Sequence, residues 1–446
     1  MARTETTADP AAAAASPGVA RRRDLNLYWT GQTTSAFGSV FTTIALPVVA
    51  VVTLKASPGE IGLIGAAATA PVLLLGFPLG ALADRISRPR RALILLDLLS
   101  ALAAATVALT LFLHAVSVLW LVALCVVMSG GSTLSASVYF LHLRQLVGTE
   151  GIGAARARLQ AGTYGAALAG RLLSGPAIAV LGAGTALTVD VASYLVSAAA
   201  LLAMRSPDRV ERGPAPSVVQ MARGAAAGLN AFRGDAFRRA LGVFIVVPVA
   251  ALAGVTTLTG PFLLRTVHLP TAAYGSVFAL SGLMGLAGST VAGRALAPGR
   301  DARRVMLGAF SAAMLCSLLL PLAAGPLPLA AACAALGIGT PVFFGAIANV
   351  AVSSVLVSGM SEEVLGRAMS AMQVCAALAG LAGSLGGGVL GDHFGVRGAL
   401  WVLGLAALAA IAATLPPALR AADRARRAEE AEAAAARTAE PAAAAK

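Results

Sequence analysis

The chain has 446 residues, of which 58% are hydrophobic and 12% charged, with a net charge of +13 and a mean hydropathy of +0.83. Soluble domains carry about twice that share of charge, and apolar runs of roughly 20 residues are the length that crosses a bilayer. A water-soluble enzyme, a nucleic-acid-binding domain and a disordered chain are thereby excluded.

Residues 1–23 are rich in Ala and Pro and end on Arg21-Arg22-Arg23. They predict a disordered tail with a basic anchor before the first crossing. Twelve apolar spans follow: 25–54, 61–83, 92–113, 117–141, 159–181, 185–204, 240–264, 272–293, 305–324, 327–357, 364–391 and 398–419. The longest internal connection, 205–239, holds seven arginines with Pro207, Pro214 and Pro216. It reads as a linker between a first half, 24–204, and a second, 240–419. The Ala-, Arg- and Glu-rich stretch 420–446 is a C-terminal tail.

Charge placement orients the bundle. All but five of the 33 basic residues fall in one alternating set of loops and the two tails, and one of the five, Arg367, lies at the start of its span. Lys55, Arg265 and Arg397 fall in the other set, and Arg171 lies inside a span. Positive residues stay on the cytoplasmic side, so both termini are expected in the cytoplasm. Cys125, Cys316, Cys333 and Cys375 all lie within spans and make no metal-ligand spacing, so they read as small buried hydrophobes. No His, Asp or Ser constellation suggests a metal, a cofactor or catalysis, and no phosphate-binding loop suggests ATP.

The sequence repeats. An offset of 213 pairs Gly62 with Gly275, Gly80 with Gly293, Arg90 with Arg303 and Arg91 with Arg304. The same offset pairs Gln160 with Gln373, Gly170 with Gly383, Gly175 with Gly388 and Gly182 with Gly395. Each unit has six spans, an even number, so the halves run parallel. Such halves are one design of secondary transporters, with the solute near the midplane between them.

Gly80-Ala-Leu-Ala-Asp84-Arg85-Ile-Ser-Arg88-Pro-Arg90-Arg91 closes the second span and opens the third. A carboxylate at the membrane edge needs a cation or a helix N-terminus beside it. This stretch resembles the loop signature of the major facilitator superfamily, Gly-x-x-x-Asp-Arg-x-Gly-Arg-Arg, departing from it at Ser87. The opening Leu27-Tyr28-Trp29-Thr-Gly31-Gln32 through Gly38-Ser39, and Leu187-Thr-Val-Asp190 through Ser197-Ala198, are similar to a branch with macrolide-efflux and enterobactin-exporter-like proteins. Gly175-Pro176 resembles the core of the motif that marks exporters in the family, and a Pro there is expected to kink helix 5.

The resemblance implies an all-α membrane protein of 12 transmembrane helices with the major-facilitator fold, a monomer in the bacterial cytoplasmic membrane. It implies export of a small hydrophobic or amphipathic molecule, such as a drug, siderophore or secondary metabolite, by proton antiport. Antibiotic resistance is the corresponding phenotype. An importer, or a polytopic receptor or scaffold that moves nothing, stays open as the alternative. Gly80, Asp84, Arg85, Arg88, Arg90 and Arg91 would form a cytoplasmic gate against the Ser361-Glu362-Glu363 start of helix 11.

Three of the charges within the spans are candidate functional groups. Arg171 and Asp190 are expected to pair, because their heights differ by roughly 7–8 Å, within reach of an Arg side chain. The pair would serve as a proton or substrate relay, or as a packing lock. Asp97 is the further candidate proton carrier. Family helices 1, 4, 7 and 10 line the cavity, which puts Thr33, Thr34, Ser129, Thr133, Thr256, Thr257, Phe343, Phe344 and Asn349 there, with Gln160 and Gln373 beside them. Each residue could instead pack helices. Taken together they make an uncharged lining.

Overall fold

A computed structural model describes residues 17–206, 208, 236–297, 300–359 and 362–444. It is all helix and turn over these residues. In a bilayer every backbone N–H and C=O must be satisfied within the segment that spans it, and a helix does this.

The first half begins with α1, Pro17–Val48, whose last turn widens into a π-turn over Val49–Thr53. Next come α2, Pro58–Arg85, and α3, Pro89–Phe112. A long helical run, Val118–Leu202, is broken at Gly148 (φ 74°) and Gly182 (φ 84°). Only glycine adopts that left-handed backbone without strain. The breaks give α4 (118–147), α5 (149–181) and α6 (183–202).

The second half repeats this. Helix α7, Ala236–Pro261, ends in a π-turn over Phe262–Thr266. It is followed by α8, Thr271–Ala295, α9, Ala302–Ser317, and α10, Leu327–Gly359. The run Glu362–Ala444 breaks at Gly395 (φ 70°) into α11 (362–394) and α12 (396–444). Twelve helices result among the described residues. Eight helical stretches are long and apolar enough to cross a membrane. Two of these, Gly151–Leu202 and Ala371–Arg424, pass through a glycine break and hold two crossings each.

Four boundaries differ from the sequence expectation, one of them the end of α12, which runs on to Ala444 past the span end at 419. Helix α1 starts at Pro17, inside the segment read as tail. Helices α4 and α5 meet at Gly148 with no loop between them, where the expectation left 142–158 as a connection. Hydropathy marks where the bilayer begins, and a helix carries on past that point as long as its backbone bonds continue. Helix α9 stops at Ser317 rather than near 324, and the chain tightens into i to i−3 turns over 318–323. Pro321 explains this, since it has no N–H and disfavours a helical residue before it.

The 213-residue offset is visible in the backbone. The π-turns 49–53 and 262–266 are equivalent under it, and so are Lys55 (φ 52°) and His268 (φ 58°), which end them. Their hydrogen bonds repeat as well. Leu54 N–H donates to Val49 C=O at 2.9 Å and Ala56 N–H to Ala50 C=O at 2.9 Å. In the second half, Val267 donates to Phe262 at 2.9 Å and Leu269 to Leu263 at 2.8 Å.

The halves meet along two glycine seams. A Cβ on Gly62 of α2 would lie 2.9 Å from Gly388 Cα of α11, and one on Gly275 of α8 would lie 3.0 Å from Gly175 N of α5. The offset turns one pair into the other, so the seams are related by a pseudo-twofold axis. Equivalent positions Pro47 and Gly260 also touch each other, which puts helices α1 and α7 on that axis.

Both seams lie toward the end of the bundle opposite the termini, here the distal end. There Arg265 of α7 donates to Ala56 C=O at 2.8 Å and to Val51 C=O at 2.7 Å, capping the last carbonyls of α1. Gly59 N–H at the start of α2 donates to Asp392 Oδ1 of α11 at 3.1 Å. Arg397 donates to Ala323 C=O at 2.7 Å. The apolar core divides in the same way. One buried cluster, from Phe41 to Leu400, draws on both halves at the distal end. At the basal end, where the termini lie, each half has its own cluster, around Tyr28 and Leu93 in the first and around Phe244 and Met306 in the second.

Because backbone meets backbone at the seams, added side chains cannot be accommodated by rotation. Gly62→Leu and Gly388→Leu are each expected to cost roughly 1–3 kcal/mol, read as a lower apparent Tm in detergent. The double variant should lose less than the sum, since both changes overpack one contact.

Candidate functional site

Two cavities face the space between the halves, each lined by one half alone. The smaller, about 200 Å³, lies between α1, α4 and α5 and takes in Tyr28, Gln32, Tyr139, Arg156, Gln160 and Thr163. The larger, about 530 Å³, lies between α7, α9, α10 and α11 and includes Thr256, Thr259, Phe310, Asn349, Met372 and Gln373. They are the same place in the two repeats. The offset carries Ala136 onto Asn349, Tyr139 onto Val352, Leu159 onto Met372, Gln160 onto Gln373 and Thr163 onto Ala376, and all ten residues line these cavities. The first-half wall sets Arg156, Gln32, Gln160, Thr163 and two tyrosines among apolar residues. The second-half wall is mostly apolar, with Thr256, Asn349 and Gln373 exposed on it.

Of the residues expected in the cavity, Gln160, Thr256, Asn349 and Gln373 line one of these spaces. The remaining ones sit in helix contacts or bond within their own helix. Ser129 donates to Ala68 C=O of α2 at 2.6 Å, and Thr133 bonds back to Ser129 C=O at 2.8 Å. Thr33 stands against Gly162 of α5, and Thr257 against Gly65 of α2. Phe343 and Phe344 stack on each other at 5.2 Å within buried clusters. Thr34 is half-buried on α1. Gln32, Tyr139 and Arg156 were missed. Arg156 was missed because α5 begins ten residues earlier than hydropathy suggests, which turns a supposed loop arginine into a helical one.

The expected Arg171–Asp190 pair does not form. Asp190 is fully buried between α6 and α1 and takes hydroxyl donors only. Thr42 Oγ1 donates to its Oδ2, and Ser39 and Ser193 donate to Oδ1 at 3.4 and 3.3 Å. Ser39 also bonds Tyr194 at 3.0 Å. Gly38 makes room for this packing, because a Cβ there would lie 3.1 Å from Asp190 Cα. Asp97 of α3 is 4% exposed, and its Oδ2 is buried without a hydrogen-bond partner. Beside it stand Ser197 and Tyr139. Both carboxylates therefore sit inside the first half, away from its seam with α8.

Arg171 points the other way. Its Nη1 lies against Gly282 of α8, on the space a side chain there would fill. Arg171 is half-buried, and no acidic side chain pairs with it among the described residues. Its Cα is ten residues from the distal end of α5, about 15 Å. A guanidinium facing hydrocarbon at that depth costs about 3 kcal/mol, so the position is favourable only where its open side meets water.

The proposed gate is described in part. The surroundings of Gly80, and the side chains of Asp84, Arg85 and residues 361–363, lie outside what is described. Arg88 is exposed. Arg90 and Arg91 serve the first half itself: their N–H groups donate to Asp208 at 2.8 and 3.2 Å, which caps α3, and Arg90 Nη1 donates to Met204 C=O at 2.6 Å. In the second half Asp301 caps its own helix through Arg303 N–H at 2.9 Å, and Arg304 Nε bonds Asp423 of α12 at 3.1 Å. The chain stays helical through Pro176, and Gly175 beside it serves the α5–α8 seam.

A family model described as "transmembrane secretion effector", of the major-facilitator type, matches residues 17–443. No curated protein matches the chain. Among solved structures it is similar to the nucleoside transporter NupG, at 12% identity over 89% of this chain and 98% of that one, with a TM-score of 0.70. A bacterial homologue of the human lysosomal transporter Spinster, inward-facing and unoccupied, is similar at 16% identity over 91% and 95%, with a TM-score of 0.59. A peptide-bound POT family transporter is similar at 12% identity over 88% and 95%, with a TM-score of 0.65. At these identities the likeness is one of fold.

The hydroxyl cage around Asp190 makes a stability prediction. Thr42→Val together with Ser39→Ala strips two donors from a buried carboxylate and is expected to destabilise the protein by roughly 1–3 kcal/mol. Adding Asp190→Leu should recover part of that loss. Thermal unfolding in detergent reads both.

Proposed function

The chain belongs to the transmembrane secretion effector family of major-facilitator transporters, and from that membership we propose that it is a secondary active exporter of a small hydrophobic or amphipathic molecule. Drugs, siderophores and secreted metabolites are the candidate cargo, and protons moving inward supply the drive. The carrying observation is the division of the core: one apolar cluster shared at the distal end and a separate one in each half at the basal end. Two bodies joined this way can rock about their shared end, which is what alternating access requires.

The arginine bias of the loops supports a cytoplasmic basal end, with both termini inside a bacterial cytoplasmic membrane. The protein then works as a monomer of two halves, 24–204 and 240–419, joined by the linker 205–239. The large second-half cavity, apolar with a few amide and hydroxyl groups, suits a greasy solute. Asp190 and Asp97 are the proton carriers in this reading, since an intramembrane carboxylate without a cation is neutral or charged according to whether it holds a proton.

Flux in proteoliposomes tests it. With a labelled macrolide or catechol siderophore on the basal side, a gradient acid on the distal side should drive the solute distally against its own gradient. Movement together with protons toward the basal side would instead mean import, and no flux of any solute would leave a receptor or scaffold. Asp190→Asn should reduce gradient-driven accumulation to that of protein-free vesicles while the purified variant stays monodisperse. Retained coupling would remove Asp190 from the proton path.

A further inference from the structure

We propose that the solute carries an anionic group and that Arg171 is the residue that holds it, in effect an acidic head on an apolar body. This rests on the transporter reading above and adds a substrate class to it.

The argument starts from one stripe of α5. Arg156, Gln160, Thr163, Ala167 and Arg171 follow the spacing i, i+4, i+7, i+11 and i+15. At about 100° per residue these fall within an arc of about 80° on one face. Its first three members line the first-half cavity, so that face looks into the space between the halves. One turn further on, Gly175 packs on Gly275 of α8. Arg171 therefore stands at the edge of that face, one turn from the seam, where Gly282 of α8 leaves its guanidinium room. Arg156 sits about 22 Å nearer the basal mouth, its guanidinium 5.8 Å from the centre of the Phe140 ring.

The opposite wall has no counterpart. The equivalent stripe on α11 is Met369, Gln373, Ala376, Gly380 and Ser384, and no charged residue lines the second-half cavity. Nor does any acidic residue line either cavity among the described residues. The two intramembrane aspartates are turned into the first half, where Asp190 is already met by three hydroxyls. A half-buried cation at mid-membrane depth, with no acid of its own among the described residues, is a receptor for one from outside the protein. The second-half cavity of about 530 Å³ takes the apolar part.

The same chemistry could come from a free solute or from the headgroup of an anionic lipid, and the test separates these. The full chain in phosphatidylcholine nanodiscs is titrated with three probes sharing a dodecyl chain: the carboxylate, the neutral alcohol and the trimethylammonium. Binding is read from tryptophan fluorescence, and Trp29 on α1 adjoins the start of α5. The carboxylate should bind at least about tenfold more tightly than the other two, the scale of one charge-assisted bond. Arg171→Gln should erase that preference and leave the alcohol unchanged, and Arg171→Lys should restore part of it. Arg156→Gln should have a smaller, salt-sensitive effect. If phosphatidylglycerol in the nanodisc suppresses carboxylate binding in the native protein only, the anion is a lipid headgroup; if it does not, it is a free solute.

Equal affinity for all three heads, a preference for the cation, or an Arg171→Gln variant that weakens all three alike would overturn the proposal. Proton-driven flux of a neutral solute, with no discrimination among heads, would sink this inference and leave the transporter standing. Absence of both binding and flux would sink both.

Discussion

Four glycines carry the contact on which the rest of the molecule depends. At Gly62 against Gly388, and at Gly175 against Gly275, backbones approach so closely that a methyl group has no place. In lipid there is no hydrophobic force to press helices together, so close van der Waals packing has to do it. These seams fix the two halves at one end of the bundle. The shared apolar cluster, the Arg265 cap on α1 and the Gly59–Asp392 bond all lie at that end. Each half keeps its own cavity, lined by its own helices.

Within that frame the halves have taken on different chemistry. The first keeps its carboxylates inside, in a mesh of Ser, Thr and Tyr hydroxyls built from α1, α3 and α6, and presents arginine on its cavity wall. The second presents Phe310, Met372 and small residues, relieved by two amides and two threonines. A common backbone plan thus carries a charged wall and a greasy one facing each other. The basal ends differ too, since α3 borrows Asp208 from the linker as its cap where α9 uses its own Asp301. The linker is therefore joined to the first half by more than the chain.

Crossing segments were legible because each needs a long apolar run, and the repeat was legible because Gly62/Gly275, Gly175/Gly388 and Gly182/Gly395 cannot be replaced without loss of a contact or a turn. The break at Gly148 was not, since one left-handed residue leaves no trace in hydropathy. Pairing Arg171 with Asp190 failed for a related reason. Height along the membrane can be counted from residue numbers, but which way a helix faces depends on its neighbours. Gly38 against Ser193 turns Asp190 toward α1, and Gly175 against Gly275 turns Arg171 toward α8. Motif resemblance placed Arg90 and Arg91 in a gate between halves, whereas they bind Asp208 and Met204 C=O within one half. Cavity membership was legible for amides and one threonine at mid-helix. It was not legible for Ser129 or Thr257, because a hydroxyl that packs a helix and one that meets a solute look alike in sequence.

The widened last turns of α1 and α7 bear on ancestry. A π-turn holds one residue more than the helix around it needs, and both copies carry theirs at the same register, closed by the same hydrogen bonds and ended by a left-handed residue. An insertion at the same register in both halves is what the doubling of a six-helix unit leaves behind. Arg171 faces Ser384 across the same comparison, so the difference between them dates from after the doubling. The hinge region is then the older inheritance, and the charge that distinguishes the two walls is the younger.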